Sequence, residues 1–240
     1  MTATVKIGHY HELSSLPASG VDYKGLPIYA LPELHETVGA KARAWLPAGC
    51  RVLDLAAGSG ALTLRLRDLG FQVESADLVS EGFRLHGQGV FYSADFNTHF
   101  HNAVNGPYDA ITALEIIEHL ENPRHFLREC MTALKPGGTL ILSTPNIDSP
   151  RSILRFVTKG HFRQFGEEDY NQSGHITPLS QWQLEKTIEE GGWQVKEFTS
   201  CGAPYGAGLR HIGAKMLCAL MAGNPRLRGA LLLLVLQKPS

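Results

Sequence analysis

In the stretch ALEIIEHL, residues 113–120, two carboxylates and an imidazole (Glu115, Glu118 and His119) stand within five positions at the end of an apolar run. If the chain turns helical there, the spacings i, i+3 and i+4 set the three side chains on one face, an arrangement that can chelate a divalent cation. Without a metal, His119 reads as a general base or a buried, hydrogen-bonded imidazole, and Glu118 as a carboxylate drawn to a helix N-terminus.

A second set of acids closes strand-like runs: Asp54 in CRVLDLA, Asp77 in ESADLV and Asp95 in SADFN. After the first run, AAGSG sets Gly58 and Gly60 where the backbone can turn tightly and approach a ligand at the start of a helix. Position 63 is Thr, so the dinucleotide pattern GxGxxG is incomplete, and Asp54 would face a pyrophosphate with the wrong charge. A cationic ligand fits better, because a carboxylate at a strand end holds an ammonium or offsets a sulfonium. Asp77 stands about 20 residues beyond the glycine loop, where nucleotide folds place the acid that takes ribose hydroxyls. Asp95 is placed to accept an adenine amino group, with Phe96 against the ring. Each Asp taken singly reads equally well as a helix N-cap. Repetition at three strand ends favours one nucleoside site.

The elements that must position these residues are short apolar strands alternating with helical periods. Strands are predicted at 50–56, 71–76, 89–94, 108–114, 138–144, 193–200 and 230–236, with helices in ALTLRLRDL, PRHFLRECMTAL and LSQWQLEKTIEE, and a turn, LKPGG, at 134–138. Such alternation predicts an α/β fold: a mostly parallel sheet, helices on both faces, and ligands at the carboxyl ends of the strands. Composition marks no linker, so residues 1–240 read as a single domain. Within it, 1–47 form a lead-in segment with a helix in PELHETVGAKARAWL, and 145–178 a cap or lid, longer than an ordinary loop.

The formal net charge is -1, from 22 basic and 23 acidic residues, which argues against nucleic acid as partner. Four scattered cysteines, Cys50, Cys130, Cys201 and Cys218, form no CxxC pair and suit a reducing cytoplasm. No apolar run is long enough to span a bilayer.

VLDLAAGSG, SADL, SADF, YDAITALEIIEHL and LKPGGTLILSTPN, in that order, resemble the motifs of the class I S-adenosylmethionine-dependent methyltransferases over about residues 48–200. One departure is Ala56, where that family usually has Gly. The resemblance implies a Rossmann-like seven-stranded sheet whose last strand, ALLLLVLQKP, runs antiparallel. It implies S-adenosylmethionine as cofactor, contacted by Asp54, Ala56, Gly58, Gly60, Asp77, Leu78, Asp95, Phe96 and Glu115.

ExxEH also resembles the metal-binding motif of ubiquinone-biosynthesis O-methyltransferases and of small-RNA 2'-O-methyltransferases, the latter with a later histidine, here His175. That precedent implies Mg²⁺, Mn²⁺ or Zn²⁺ on Glu115, Glu118, His119 and His175. The alternative is a metal-free His119 as base, with His175 merely preceding a helix capped at Ser180.

In the cap, Ser149 and Pro150 predict a helix start and Gly160 a stop. Arg151, Arg155 and Lys159 then form a basic stripe, read as a solvated face or as an attractor for an acidic substrate group. His9, Tyr10, His11, Tyr23 and Tyr29 are candidates for a further wall of the substrate pocket. The sequence thus predicts methylation of a small molecule, most simply at oxygen. The competing readings are an RNA 2'-O-methyltransferase, a non-catalytic cofactor-binding module and a nicotinamide-dependent oxidoreductase.

Overall fold

The computed structural model describes residues 21–202, 216, 226 and 228–240; His9, Tyr10, His11 and Cys218 lie outside them. A small hairpin, β1 (Asp22–Tyr23) and β2 (Leu26–Pro27), precedes α1 (Leu34–Trp45). The chain continues through β3 (Arg51–Leu55), α2 (Ala61–Asp68), β4 (Gln72–Asp77), β5 (Phe91–Ser93), β6 (Tyr108–Ala113) and α3 (Pro123–Ala133). It ends with β7 (Leu134–Pro145), α4 (Pro150–Lys159), α5 (Glu167–Ser173), α6 (Gln181–Glu190), β8 (Gln194–Cys201) and β9 (Leu231–Gln237).

Seven strands join in one sheet in the order β5-β4-β3-β6-β7-β9-β8. β9 pairs antiparallel with both β7 and β8, and the other pairings are parallel. All seven expected strands are present; the hairpin β1-β2 in the lead-in is an addition. The order reverses between β3 and β6, and a crevice opens there at the carboxyl ends of the strands.

Period-two alternation explains how the sheet carries helices on both faces. In β9, Leu232, Leu234 and Leu236 pack with Phe126, Leu127 and Cys130 of α3 and with Leu184 and Ile188 of α6. The intervening Leu231, Leu233 and Val235 pack on the other side with Leu34 and Val38 of α1 and Leu62 and Leu66 of α2. Each such fully buried side chain contributes about 1.5–3 kcal/mol relative to exposure.

Two helices of the cap region follow their caps. Ser149 accepts from Ser152 N–H with Pro150 in the first turn, and Gly160 ends α4 at φ +79°. Ser180 and Gln183 form a capping box on α6. LKPGG, by contrast, is no free turn: β7 begins at Leu134, which pairs with Tyr108. The backbone groups of Gly137 and Gly138 bond to Lys238 beyond β9, so this corner is satisfied as sheet.

Candidate active site

A cavity of about 510 Å³ lies over the ends of β3, β4, β5 and β6. Its floor is the glycine loop. Ala56, Gly58 and Gly60 have φ values of +55°, +52° and +89°. A side chain at 60 would meet Leu85 Cδ1 at 2.9 Å in addition to the left-handed backbone, so glycine is required. Ala56 occupies a left-handed conformation unfavourable for any residue with a Cβ, which explains the glycine usual there in the resembling family.

The acids play three different parts. Asp54 is 1 % exposed and its two oxygens accept the hydroxyls of Thr63 (2.6 Å) and Thr112 (2.8 Å). Burial lifts its pKa to about 6 against those hydrogen bonds, so it braces the loop and α2 under the cavity rather than offering an open oxygen. Asp77 accepts from Gly58 N–H (2.9 Å) and Val79 N–H (3.3 Å), tying the glycine loop to the end of β4; burial raises its pKa. Neither caps a helix, and α2 has Gly60 at its N-cap with no side-chain cap. Asp95 is exposed, accepts from Asn97 N–H and lines the rim. Phe96 shows one edge to the cavity but is 3 % exposed and packs edge-on to Phe100 (5.5 Å between centroids). Leu78 and Glu115 also line the wall.

The stretch quoted first is not an α-helix. Glu115 sits at φ +50° and only Ile117–His119 form a single 3-10 turn, so the i, i+3, i+4 face does not exist. Glu115 bonds Ser143 through both its N–H (3.1 Å) and its carboxylate (2.9 Å), and its carboxylate is not in the ligand-atom group of Glu118, His119 and His175. The implied four-ligand set therefore reduces to three: Glu118, His119 and His175 bring ligand atoms within 4.8 Å of one another.

The cap closes this trio. Glu118 carbonyl accepts the N–H groups of Ile176 and Thr177, and Thr177 Oγ1 donates to Leu120 carbonyl. His175, held by Gln164 carbonyl (2.8 Å), then meets His119 edge-on at 4.6 Å between ring centroids. Burial acts oppositely on the two residue types. It pushes Glu115 up to about 7 and, with help from the Glu115 charge, Glu118 well above the usual carboxylate range. It drives His119 down to about 3, His175 assisting, and lowers His175. His119 is therefore a neutral imidazole at pH 7. Glu118 is fully buried; its Oε2 accepts from Thr144 Oγ1, while Oε1 lacks a hydrogen-bond partner among the described residues.

The lead-in supplies the wall opposite. Tyr29 lines the cavity; Tyr23 does not, because its hydroxyl donates to Asp68. Sequence reasoning missed His35, Gln164 and Ser173, all of them on the cavity surface. His35 is buried with Nδ1 unpartnered among the described residues, and burial takes its pKa to about 4. Its only signal was a histidine beside Leu34 and Val38, on the buried side of the lead-in helix. Arg151, Arg155 and Lys159 do not line the cavity, and Arg155 and Lys159 are exposed, so the stripe is solvated.

A doubly wound sheet with this strand order, a non-dinucleotide glycine loop and acidic strand ends defines a nucleoside-cofactor enzyme fold of the methyltransferase kind. Residues 29–197 match the family model described as a methyltransferase domain. The chain belongs to the S-adenosylmethionine-dependent methyltransferase family. It is 35% identical over 158 residues to the ubiquinone biosynthesis O-methyltransferase of Xanthomonas axonopodis pv. citri, covering 58% of this chain and 65% of that protein. This match spans just under two thirds of the relative. The Burkholderia pseudomallei protein of the same name is 31% identical over 166 residues, covering 65% of this chain and 69% of that one. Among solved structures, a putative methyltransferase from Bacillus halodurans superposes with a TM-score of 0.61 at 18% identity, covering 85% of this chain and 100% of that one. At that identity the likeness is one of fold. No helix among the described residues is long and apolar enough to cross a membrane.

Proposed function

We propose that the chain methylates a hydroxyl oxygen of a small molecule, with the donor on the glycine-loop side of the cavity and the acceptor beneath the cap. The observation that carries this reading is that a neutral His119 and the acidic strand ends line one and the same cavity. The residues fit a cationic nucleoside: Gly58 and Gly60 admit close backbone approach, and Asp77, Asp95 and Glu115 supply carboxylates on the wall. S-adenosylmethionine supplies an electrophilic methyl on a positively charged sulfur.

Asp77 and Asp95 orient the nucleoside, and Glu115 faces its cationic end, which favours ionisation of that carboxylate. His119 accepts the hydroxyl proton as the oxygen attacks in line. Alignment is the main requirement, because charge is dispersed rather than created in this displacement. Gln164, Ser173 and His175, from the cap, line the acceptor side. The relatives named O-methyltransferases support oxygen as the acceptor atom. Labelled methyl donor incubated with a metabolite extract should yield an O-methyl ether; label on nitrogen or carbon only would refute the proposal.

A second reading is favoured by one feature, the unpartnered Glu118 Oε1 beside two imidazoles. Glu118, His119 and His175 would hold a divalent cation, which lowers the pKa of a nearby hydroxyl and replaces His119 as the activating group. Excess chelator separates the two: activity persists with His119 as base and is abolished with a metal.

A further inference from the structure

A second histidine-carboxylate cluster lies outside the cavity. Glu129, on α3, is 5 % exposed, and each of its oxygens meets one imidazole: His99 Nδ1 at 2.9 Å and His101 Nδ1 at 2.6 Å. Glu129 also accepts from His101 N–H. One turn earlier on the same helix face, His125 bonds Thr98 carbonyl through Nε2, with its ring 5.1 Å from that of His99. None of the four lines the cavity.

Three features make this a built site. The H-x-H spacing leaves Phe100 between the two histidines, and Phe100 is locked in the core against Phe96 and Phe126, so both imidazoles are held towards α3. Among the described residues, Glu129 forms ion pairs with no lysine or arginine; its partners are the two histidines. A nearly buried carboxylate in that setting lacks a permanent counter-charge. The ligand atoms of His99, His101 and Glu129 all fall within 4.8 Å of one another. A tetrahedral ion with bonds of about 2.0–2.2 Å separates its donors by about 3.4 Å, so small side-chain rotations admit it.

We propose that His99, His101 and Glu129 bind a first-row transition cation of the Zn²⁺ type, which staples the loop after β5 to α3. Two imidazoles and a carboxylate are the donor set that such ions select over Mg²⁺ or Ca²⁺. Asp95 and Phe96 begin the stapled loop, and the ion lies outside the cavity that they line.

The test uses the full chain, stripped of metal, in a His175→Ala background that removes a ligand of the trio inside the cavity. Titrated Co²⁺ should give the visible ligand-field bands of a low-coordinate imidazole site, with a single ion per chain. His101→Ala and, separately, the exposed-side-chain variant His99→Ala should each weaken binding by more than about 100-fold, since even outer-shell partners cost about 10- to 100-fold. Zn²⁺ should raise the melting temperature of the background protein and leave that of His175→Ala/His101→Ala unmoved. Absent bands, or bands and a Zn²⁺ shift that survive His101→Ala in a folded protein, would overturn the proposal.

Discussion

The two walls of the cavity are built on opposite terms. On the cofactor side, polar groups are satisfied within the protein: Asp54 by two threonines, Asp77 by Gly58 and Val79, Asp95 by Asn97. On the side proposed for the acceptor, Glu118 keeps a buried oxygen unpartnered among the described residues and His119 is neutral despite a nearby carboxyl group. Satisfied hydrogen bonds make a rigid receptor for a ligand that is always the same. Unsatisfied groups are destabilising alone, and are expected where the substrate or its proton completes them.

The largest expected effect divides the walls directly. His119→Ala should lower kcat by about 10²- to 10⁴-fold, the range of positioned acid–base groups, and leave donor binding in calorimetry unchanged. Equal loss in both quantities would show that the walls are one unit. Next, Asp77→Ala should weaken donor binding by about 1–3 kcal/mol with little change in kcat at saturating donor.

Glu115 joins the walls, and its titration sharpens the comparison. With burial lifting its pKa to about 7 from the ordinary 4.5, the folded state holds a proton that the unfolded state loses over that window. Wild type should therefore lose stability relative to Glu115→Gln as pH rises from about 4.5 to 7, seen in denaturant melts at several pH values. Donor binding at pH 7 should release roughly half a proton, because a nearby cation favours the carboxylate, and the release should vanish in Glu115→Gln. The smallest effect is Ala56→Gly. Relief of the left-handed strain outweighs the added chain entropy and should stabilise the fold by about 0.5–1 kcal/mol without altering kcat.

The same division sets what was legible in the sequence. Strand alternation and the Asp54, Asp77 and Asp95 endings were readable because period-two burial and strand-end position are local properties. Ser149, Gly160 and Ser180 were readable for the same reason. The local geometry of 115–119 was not legible, because its 3-10 turn is set by Ser143 on β7 and by Ile176 and Thr177 from the cap, all distant in sequence. His35 carried no local pattern; only the packing of α1 over the glycine loop brings it to the cavity. The basic stripe of α4 illustrates the converse, a periodic signal that the fold leaves in solvent.

Calorimetric titration of S-adenosylmethionine and its demethylated product into wild type, Asp77→Ala and His101→Ala tests the central claim, that the cavity over β3 to β6 holds the donor. Both ligands should bind a single site that Asp77→Ala weakens and His101→Ala preserves. No binding by wild type, or binding indifferent to Asp77, would contradict it.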